Sequence, residues 1–383
     1  MKVVLASNYF NHHQRPLCDA LHRLTEGEFW FIATSRMREE RRQLGYGEEN
    51  LPDYVLHTDD ALDRCQALIR EADVVIAGSA PQTLLKPRIQ EGKLLFRYSE
   101  RPLKNGPEWK KYLPRLLRWH LWNPPGKPIY LLCASAYTAG DYGRFGLFRN
   151  RAYRWGYFPR TGNCPAGELL SRKSTRSILW AGRLLQWKHP EQAVEAARRL
   201  RDEGLDFELI IIGMGEMETR LQELIGLYDL ADRVHLTGPM KPEQVRAHME
   251  ETGIFLFTSN RQEGWGAVLN ESMGSGCAVV ASHAIGSAPF LIRDGENGLL
   301  YESGNVDMLC EKLRFLLQQP MEQTRLGAAA CKTITDEWNA GIAARRLLEL
   351  ADSILRGETS PERYLSGPCS KAIILRDDWF CNK

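Results

Sequence analysis

The chain has 383 residues, 43% hydrophobic and 26% charged, with 50 Lys and Arg against 48 Asp and Glu. That length suits two or three domains with real cores, and so ordinary a composition excludes a disordered, collagen-like or coiled-coil protein. No apolar run approaches the ~18 residues that a membrane span needs, and the nine cysteines include no C-x-x-C pair, which argues against a zinc site or a disulfide framework. The expectation is a soluble protein of a reducing compartment.

The predicted elements open with a buried strand, KVVLAS, rather than a secretory signal. A polar loop, NYFNHHQRP, and a helix, LCDALHRL, follow. Strands are expected at Phe29–Ala33 and Asp73–Gly78, with the acidic helix DDALDRCQALIREA before the second. Another strand, Lys93–Tyr98, precedes a basic helical stretch, and Ile129–Ala134 closes the series. Short apolar strands alternating with helices indicate βαβ units and a parallel sheet. Residues 156–174, rich in Pro, Gly and Ser, read as a linker.

Charge is unevenly spread. Residues 1–160 hold 25 basic and 17 acidic residues, and 86–127 alone hold 11 and 3. The cations of that segment, from Lys86, Arg88, Arg97 and Arg101 to Lys110, Lys111, Arg115 and Arg118, interleave with Trp109, Trp119, Trp122 and several leucines. Such a mixture suits contact with anionic lipid headgroups, so 101–122 is a candidate for peripheral membrane contact. A solvated helix face packed on its own domain is the other reading. Nucleic acid is not expected as a partner, because the whole chain is not basic enough.

After the linker the alternation restarts. Strands are expected at 177–182, 207–213, 234–238, 253–259, 277–282 and 297–303. Helices are expected at 191–204, over EMETRLQELIGLYDLAD and PEQVRAHMEET, from near Gly266, and at 305–319 and 340–356. In parallel sheets of this kind ligands bind beyond the carboxyl ends of the strands.

The segment SNRQEGWGAVLNESMGSG (259–276) carries the sharpest chemistry. Glu263 and Glu271 flank a Gly264-Trp265-Gly266 turn that opens a helix at Ala267. The glycines let backbone approach a ligand, and the first-turn N–H groups with the helix dipole suit a phosphate. Carboxylates are natural acceptors for paired sugar hydroxyls. The turn AGRLLQWKHP adds Gly182, Arg183 and Lys188, two cations able to neutralise a departing diphosphate without a metal. Gly213 and Gly215 lie in IIGMGE, which is no dinucleotide fingerprint, since Glu218 stands where a third glycine belongs. Gly238 and Met240 lie in the loop LTGPM. Each segment taken alone also fits a capped helix or an ordinary surface loop.

Taken together, GR…K (Gly182, Arg183, Lys188), IIGMGE, LTGPM, the E-x7-E element from Glu263 to Glu271, SGCAVVAS and DGENGLLY resemble the retaining GT-B glycosyltransferases of family 4, over essentially 175–345. The resemblance implies two Rossmann-like doubly wound α/β domains facing across a cleft. It implies an acceptor-binding domain at 1–160, a donor-binding domain at 161–339, and a C-terminal helix and tail at 340–383 returning to the first domain. The implied activity is retaining, metal-independent transfer of a sugar from a nucleotide diphosphate donor, UDP- or GDP-linked, to an acceptor hydroxyl. A lipid-linked saccharide in surface-polysaccharide assembly at the inner membrane face is the implied acceptor. Arg183 and Lys188 would hold the diphosphate, Glu271 the ribose, and Glu263 with the following backbone, through Ala267, the transferred sugar. The 238–241 loop would line the base. No cofactor or metal is implied, and the sequence has no D-x-D. A GT-B epimerase or hydrolase, or a non-catalytic nucleotide-sugar-binding subunit, are the alternatives.

The sequence departs from the family pattern in several places. GSAPFL puts Phe290 where an acid is usual, and one extra residue stands between Ser259 and Glu263. The glycine-rich turn after strand one is replaced by NYFNHHQRP, making His12 and His13 the candidates there for a sugar contact. The usual histidine after a middle strand falls in FRYSERP, so Glu100 and Arg101 take its place as acceptor candidates.

Overall fold

The computed structural model describes residues 1–37, 50–106, 109–162 and 166–380. It divides into two compact units, Met1–Arg160 with Asn339–Arg376, and Thr161–Trp338 with Asp377–Lys383. The tail expected to run wholly with the first unit therefore splits after Arg376, because Asp377–Phe380 pack on side chains of the second.

The first unit holds strands β1 (Val3–Ser7), β2 (Phe29–Ala33), β3 (Val55–His57), β4 (Val74–Ala77), β5 (Leu95–Ser99), β6 (Ile129–Cys133) and β7 (Ala152–Arg154). They form one parallel sheet in the order β3-β2-β1-β4-β5-β6-β7. The second unit holds β8 (Ser174–Ala181), β9 (Glu208–Ile212), β10 (Val234–Gly238), β11 (Thr252–Phe257), β12 (Ala278–Ser282) and β13 (Leu299–Tyr301), parallel in the order β10-β9-β8-β11-β12-β13. Both orders reverse direction beside the first strand, between β1 and β4 and between β8 and β11. These are the topological switch points at which doubly wound sheets take ligands. Strands such as β4 (VVIA) and β12 (AVVAS) are buried throughout, as helices on both faces require.

Several helices escaped the sequence pattern. Ala166–Ser171 stands inside the expected linker, Gln82–Glu91 carries Pro87 within it, and Pro320–Asp336 buries small residues such as Gly327, Ala330 and Cys331. Helix Ala340–Leu355, capped by Asn339 accepting from the Ile342 N–H at 3.0 Å, packs against Arg15–Leu24 of the first unit.

The basic segment is less of a surface than its composition suggests. Arg88, Arg97 and Arg101 are all buried. Arg88 spans the carbonyls of Ile69, Ala72, Asp73 and Leu94, which tie the helix Gln82–Glu91 to its neighbours. Pro107 and Glu108, within the 101–122 candidate, lie outside the described residues. Among the described residues no helix is long and apolar enough to cross a membrane.

Candidate active site

The second unit gathers its polar chemistry at the ends of β8 and β11. Past Ala181 the chain turns through Gly182, Arg183 and Leu184, and the turn after β9 lies against it. The Gly182 N–H donates to Ile212 O (3.0 Å), Leu184 N–H to Met214 O (2.9 Å) and Met217 N–H to Leu184 O (3.0 Å). A Cβ at Gly213 would sit 1.8 Å from Gly182 O, and one at Gly215 would sit 2.4 Å from Leu184 O. These two glycines, expected as donor contacts, are thus demanded by backbone packing on the turn that carries Arg183. Arg183 itself is exposed.

Lys188 ends a one-turn helix, Gln186–Lys188, and is buried. Its ammonium forms an ion pair with Glu263 and lies 4.7 Å from the Trp187 ring centre and 5.6 Å from that of Phe257. Glu263 also accepts from Ser259 Oγ at 2.9 Å. Beneath them Trp180 Nε1 donates to Thr258 Oγ1 (2.9 Å), and Thr258 Oγ1 donates to Lys188 O (2.6 Å), which joins β8 and β11 under the lysine. Asn260 N–H donates to Trp187 O at 3.0 Å. His189 Nδ1 donates to Glu191 Oε1 (2.8 Å) while its Nε2 accepts from Asn260 Nδ2 (3.1 Å), a pairing that assigns the ring's tautomer. Sequence reasoning passed over Thr258, Asn260 and His189, because their value lies in pairing across segments distant in the chain.

Gly266 precedes the helix Ala267–Gly274 with φ +85°, and a Cβ there would stand 2.7 Å from the Phe257 ring and 3.2 Å from Glu263 Cγ. Only glycine fits that approach. No side chain caps this helix, so its leading N–H groups open beside the Lys188–Glu263 pair. Gly264 is buried in the same turn and Ala267 half-buried. Trp265, expected among the donor contacts, is fully buried. Its Nε1 donates to Asn270 Oδ1 at 2.8 Å and its ring packs 6.0 Å from Trp338, so only its backbone is left for a ligand. Phe290 stacks on Trp338 at 5.9 Å and 18°. An aromatic layer thus stands where the family pattern has an acid.

Glu271, four residues into the helix, is half-buried. Burial pushes its carboxyl up to about 7, against the opposing pull of Arg246. Gly238 (φ +74°) ends β10 and its carbonyl accepts from the Gly213 N–H at 2.9 Å, while Met240 is half-buried in the next loop. The tail reaches the same sheet edge. Asp377 pairs with Arg261 at 3.3 Å, its carbonyl accepts from His283 Nε2 at 3.3 Å, and Phe380 stacks on His283 at 5.1 Å. The sequence offered no periodic signal for that return.

In the first unit the acceptor candidates are scattered in role. Asn11 Oδ1 accepts from the N–H groups of His13 (3.0 Å) and Gln14 (3.2 Å), a turn that opens helix Arg15–Leu24. The rings of His12 and His13 lie 3.9 Å apart. Glu100 accepts from Tyr157 OH at 2.6 Å. Arg101 is only 2% exposed. It pairs with Asp141 at 3.2 Å and covers the Tyr137 ring at 4.6 Å, which makes it a core ion pair rather than an open acceptor contact.

Residues 167–333, which lie within the second unit, match the family model described as glycosyl transferases group 1. The amylovoran biosynthesis glycosyltransferase AmsK of Erwinia amylovora is 34% identical over 182 residues, 46% of this chain and 44% of that protein. The putative colanic acid biosynthesis glycosyltransferase WcaL of Escherichia coli K12 is 27% identical over 204 residues, 52% and 48% of the two chains. The chain thus spans less than half the length of these curated relatives. The structure of Anabaena Alr3699/HepE in complex with UDP aligns over 92% of this chain and 100% of that one, with a TM-score of 0.69 at 15% identity. At that identity the likeness establishes the fold, two parallel α/β units of GT-B type.

Proposed function

We propose that this chain is a retaining glycosyltransferase that moves a sugar from a nucleoside diphosphate donor to a hydroxyl of a saccharide, lipid-linked in surface-polysaccharide assembly. The observation that carries the reading is the buried Lys188–Glu263 pair beside the uncapped start of helix Ala267–Gly274, at the switch point between β8 and β11. The matched group 1 domain and the polysaccharide relatives support it.

In this reading the donor diphosphate takes the Lys188 ammonium from Glu263, with Arg183 and the helix N–H groups as further ligands. Glu263, released, accepts from hydroxyls of the transferred sugar, and Glu271 accepts from the ribose. The sugar–phosphate bond ionises as fixed positive charge meets the departing diphosphate. The acceptor hydroxyl then attacks from the same face, and a donor phosphate oxygen takes its proton, which retains the anomeric configuration. Positioning and charge neutralisation supply the rate, and no metal takes part. The first unit, with His12, His13 and Glu100, is assigned the acceptor.

Incubating the protein with UDP-, GDP- and ADP-sugars and a saccharide acceptor, with NMR of the product anomer, tests this. Transfer with retention from one donor class is expected, and R183A should lose about 10²–10³-fold in kcat while staying folded. Near-normal turnover in R183A, or an inverted product, would refute the assignment.

A further inference from the structure

The helix Tyr112–Trp122 of the first unit has two unlike sides. On its inner side Trp119, 7% exposed, packs 4.9 Å from Tyr142 and 4.7 Å from Phe145, in a cluster with Leu103 and Leu147. On its outer side Leu113, Leu117 and Leu121 are 61%, 64% and 77% exposed. Spaced four residues apart, they lie one above another within about 80° of helical arc, at about 100° per residue. Three leucines left to water on successive turns form a patch rather than the scattered exposure of an ordinary surface.

What borders the ridge says what covers it. Lys110 and Lys111 stand exposed at its start, and Arg118 lies alongside with its guanidinium 5.1 Å from the Trp122 ring. From 109 to 127 the sequence has no Asp or Glu. A second copy of the face would bring like charges together, which opposes self-association. An apolar ridge flanked by Lys110, Lys111 and Arg118 complements a surface of anionic headgroups over acyl chains. At 11 residues, about 16 Å at 1.5 Å per residue, the helix lies on such a surface and does not cross it.

We infer that Leu113, Leu117 and Leu121 form an insertion ridge by which the first unit docks on an anionic lipid bilayer. The contact differs from the one the sequence suggested. Trp119 belongs to the core and Trp122 is half-buried under Arg118, so the leucines enter the membrane and Lys110, Lys111 and Arg118 meet the phosphates. This docking is independent of the transfer reading, since it requires no substrate.

Flotation of the full chain with phosphatidylcholine vesicles, with and without phosphatidylglycerol, tests it. Binding only to the anionic vesicles is expected, weakening at 1 M salt, where the Debye length falls to about 3 Å. The variant L113S/L117S/L121S should lose partitioning by about a hundredfold or more, and K110Q/K111Q by about fivefold per lysine. Circular dichroism would verify that both variants keep their fold, as changes at exposed side chains should allow. Failure of the wild type to float with anionic vesicles would overturn the inference, as would a leucine variant that floats like the wild type. A dimer dispersed by the leucine substitutions, without vesicle binding, would assign the ridge to a second copy and would overturn it equally.

Discussion

The ribose contact proposed for Glu271 makes nucleotide binding testable through pH. Burial raises its carboxyl to about 7, with Arg246 pulling the other way. Ribose hydroxyls donate hydrogen bonds, so the binding form is the carboxylate, and the donor must displace the proton. If only that form binds, affinity follows the ionised fraction, roughly nine-tenths at pH 8 and one-tenth at pH 6, and therefore falls about tenfold between them. A sugar ester of a diphosphate has no phosphate group titrating in this window, so the slope reports the protein. Isothermal titration with the nucleotide sugar at pH 6, 7 and 8 measures it, and E271Q, which cannot ionise, should bind weakly and without that slope. The unliganded protein should show the opposite sign. A carboxyl raised on folding favours the native state at low pH, and that contribution is lost as pH rises from the usual carboxylate range through about 7. The thermal stability of the wild type relative to E271Q should therefore decline across the same window. A flat wild-type affinity, or a slope that survives in E271Q, would refute the placement of Glu271 at the ribose.

The other predictions concern the lysine, a glycine and metal. K188M strands the Glu263 carboxylate in a largely buried site with Ser259 as its remaining hydrogen-bond donor, so it should cost about 3 kcal/mol in denaturant unfolding. K188M/E263Q should recover much of that stability and none of the transfer rate. G213A forces a methyl group into Gly182 O, 1.8 Å away, and should lower stability by about 1–3 kcal/mol while displacing the turn that bears Arg183. A proportional loss of nucleotide affinity in calorimetry would tie that turn to donor binding. Exhaustive chelation should leave the transfer rate unchanged, and restoration of a lost rate by Mg²⁺ would show that Arg183 and Lys188 do not neutralise the diphosphate alone.

The sheets were legible because buried parallel strands write themselves as continuous apolar runs, FWFIA and AVVAS among them. Lys188, Glu263 and Gly266 were legible for a different reason. A cation, an acid and a glycine at turns after strands have few structural uses that need all three. Helix Pro320–Asp336 was not legible, since its buried face dilutes Leu326 and Ile334 with Gln323, Gly327, Ala330, Cys331 and Thr333, which carry little hydropathy contrast. Arg88 and Arg101 misled in the same way. A charge count cannot distinguish a guanidinium bound to carbonyls or an aspartate inside the fold from one in solvent. Thr258, which supports Lys188 through its backbone, has no local signature at all.

The chain passes between the two units three times, after Arg160, Trp338 and Arg376. During synthesis the stretch from Thr161 to Trp338 leaves the ribosome while the unit begun earlier still lacks the helix Ala340–Leu355 that packs on Arg15–Leu24. The later-starting unit can therefore mature first, against the usual amino-to-carboxyl order. A nascent chain arrested so that Trp338 has just cleared the exit tunnel should resist protease over Thr161–Trp338 and be digested before Arg160.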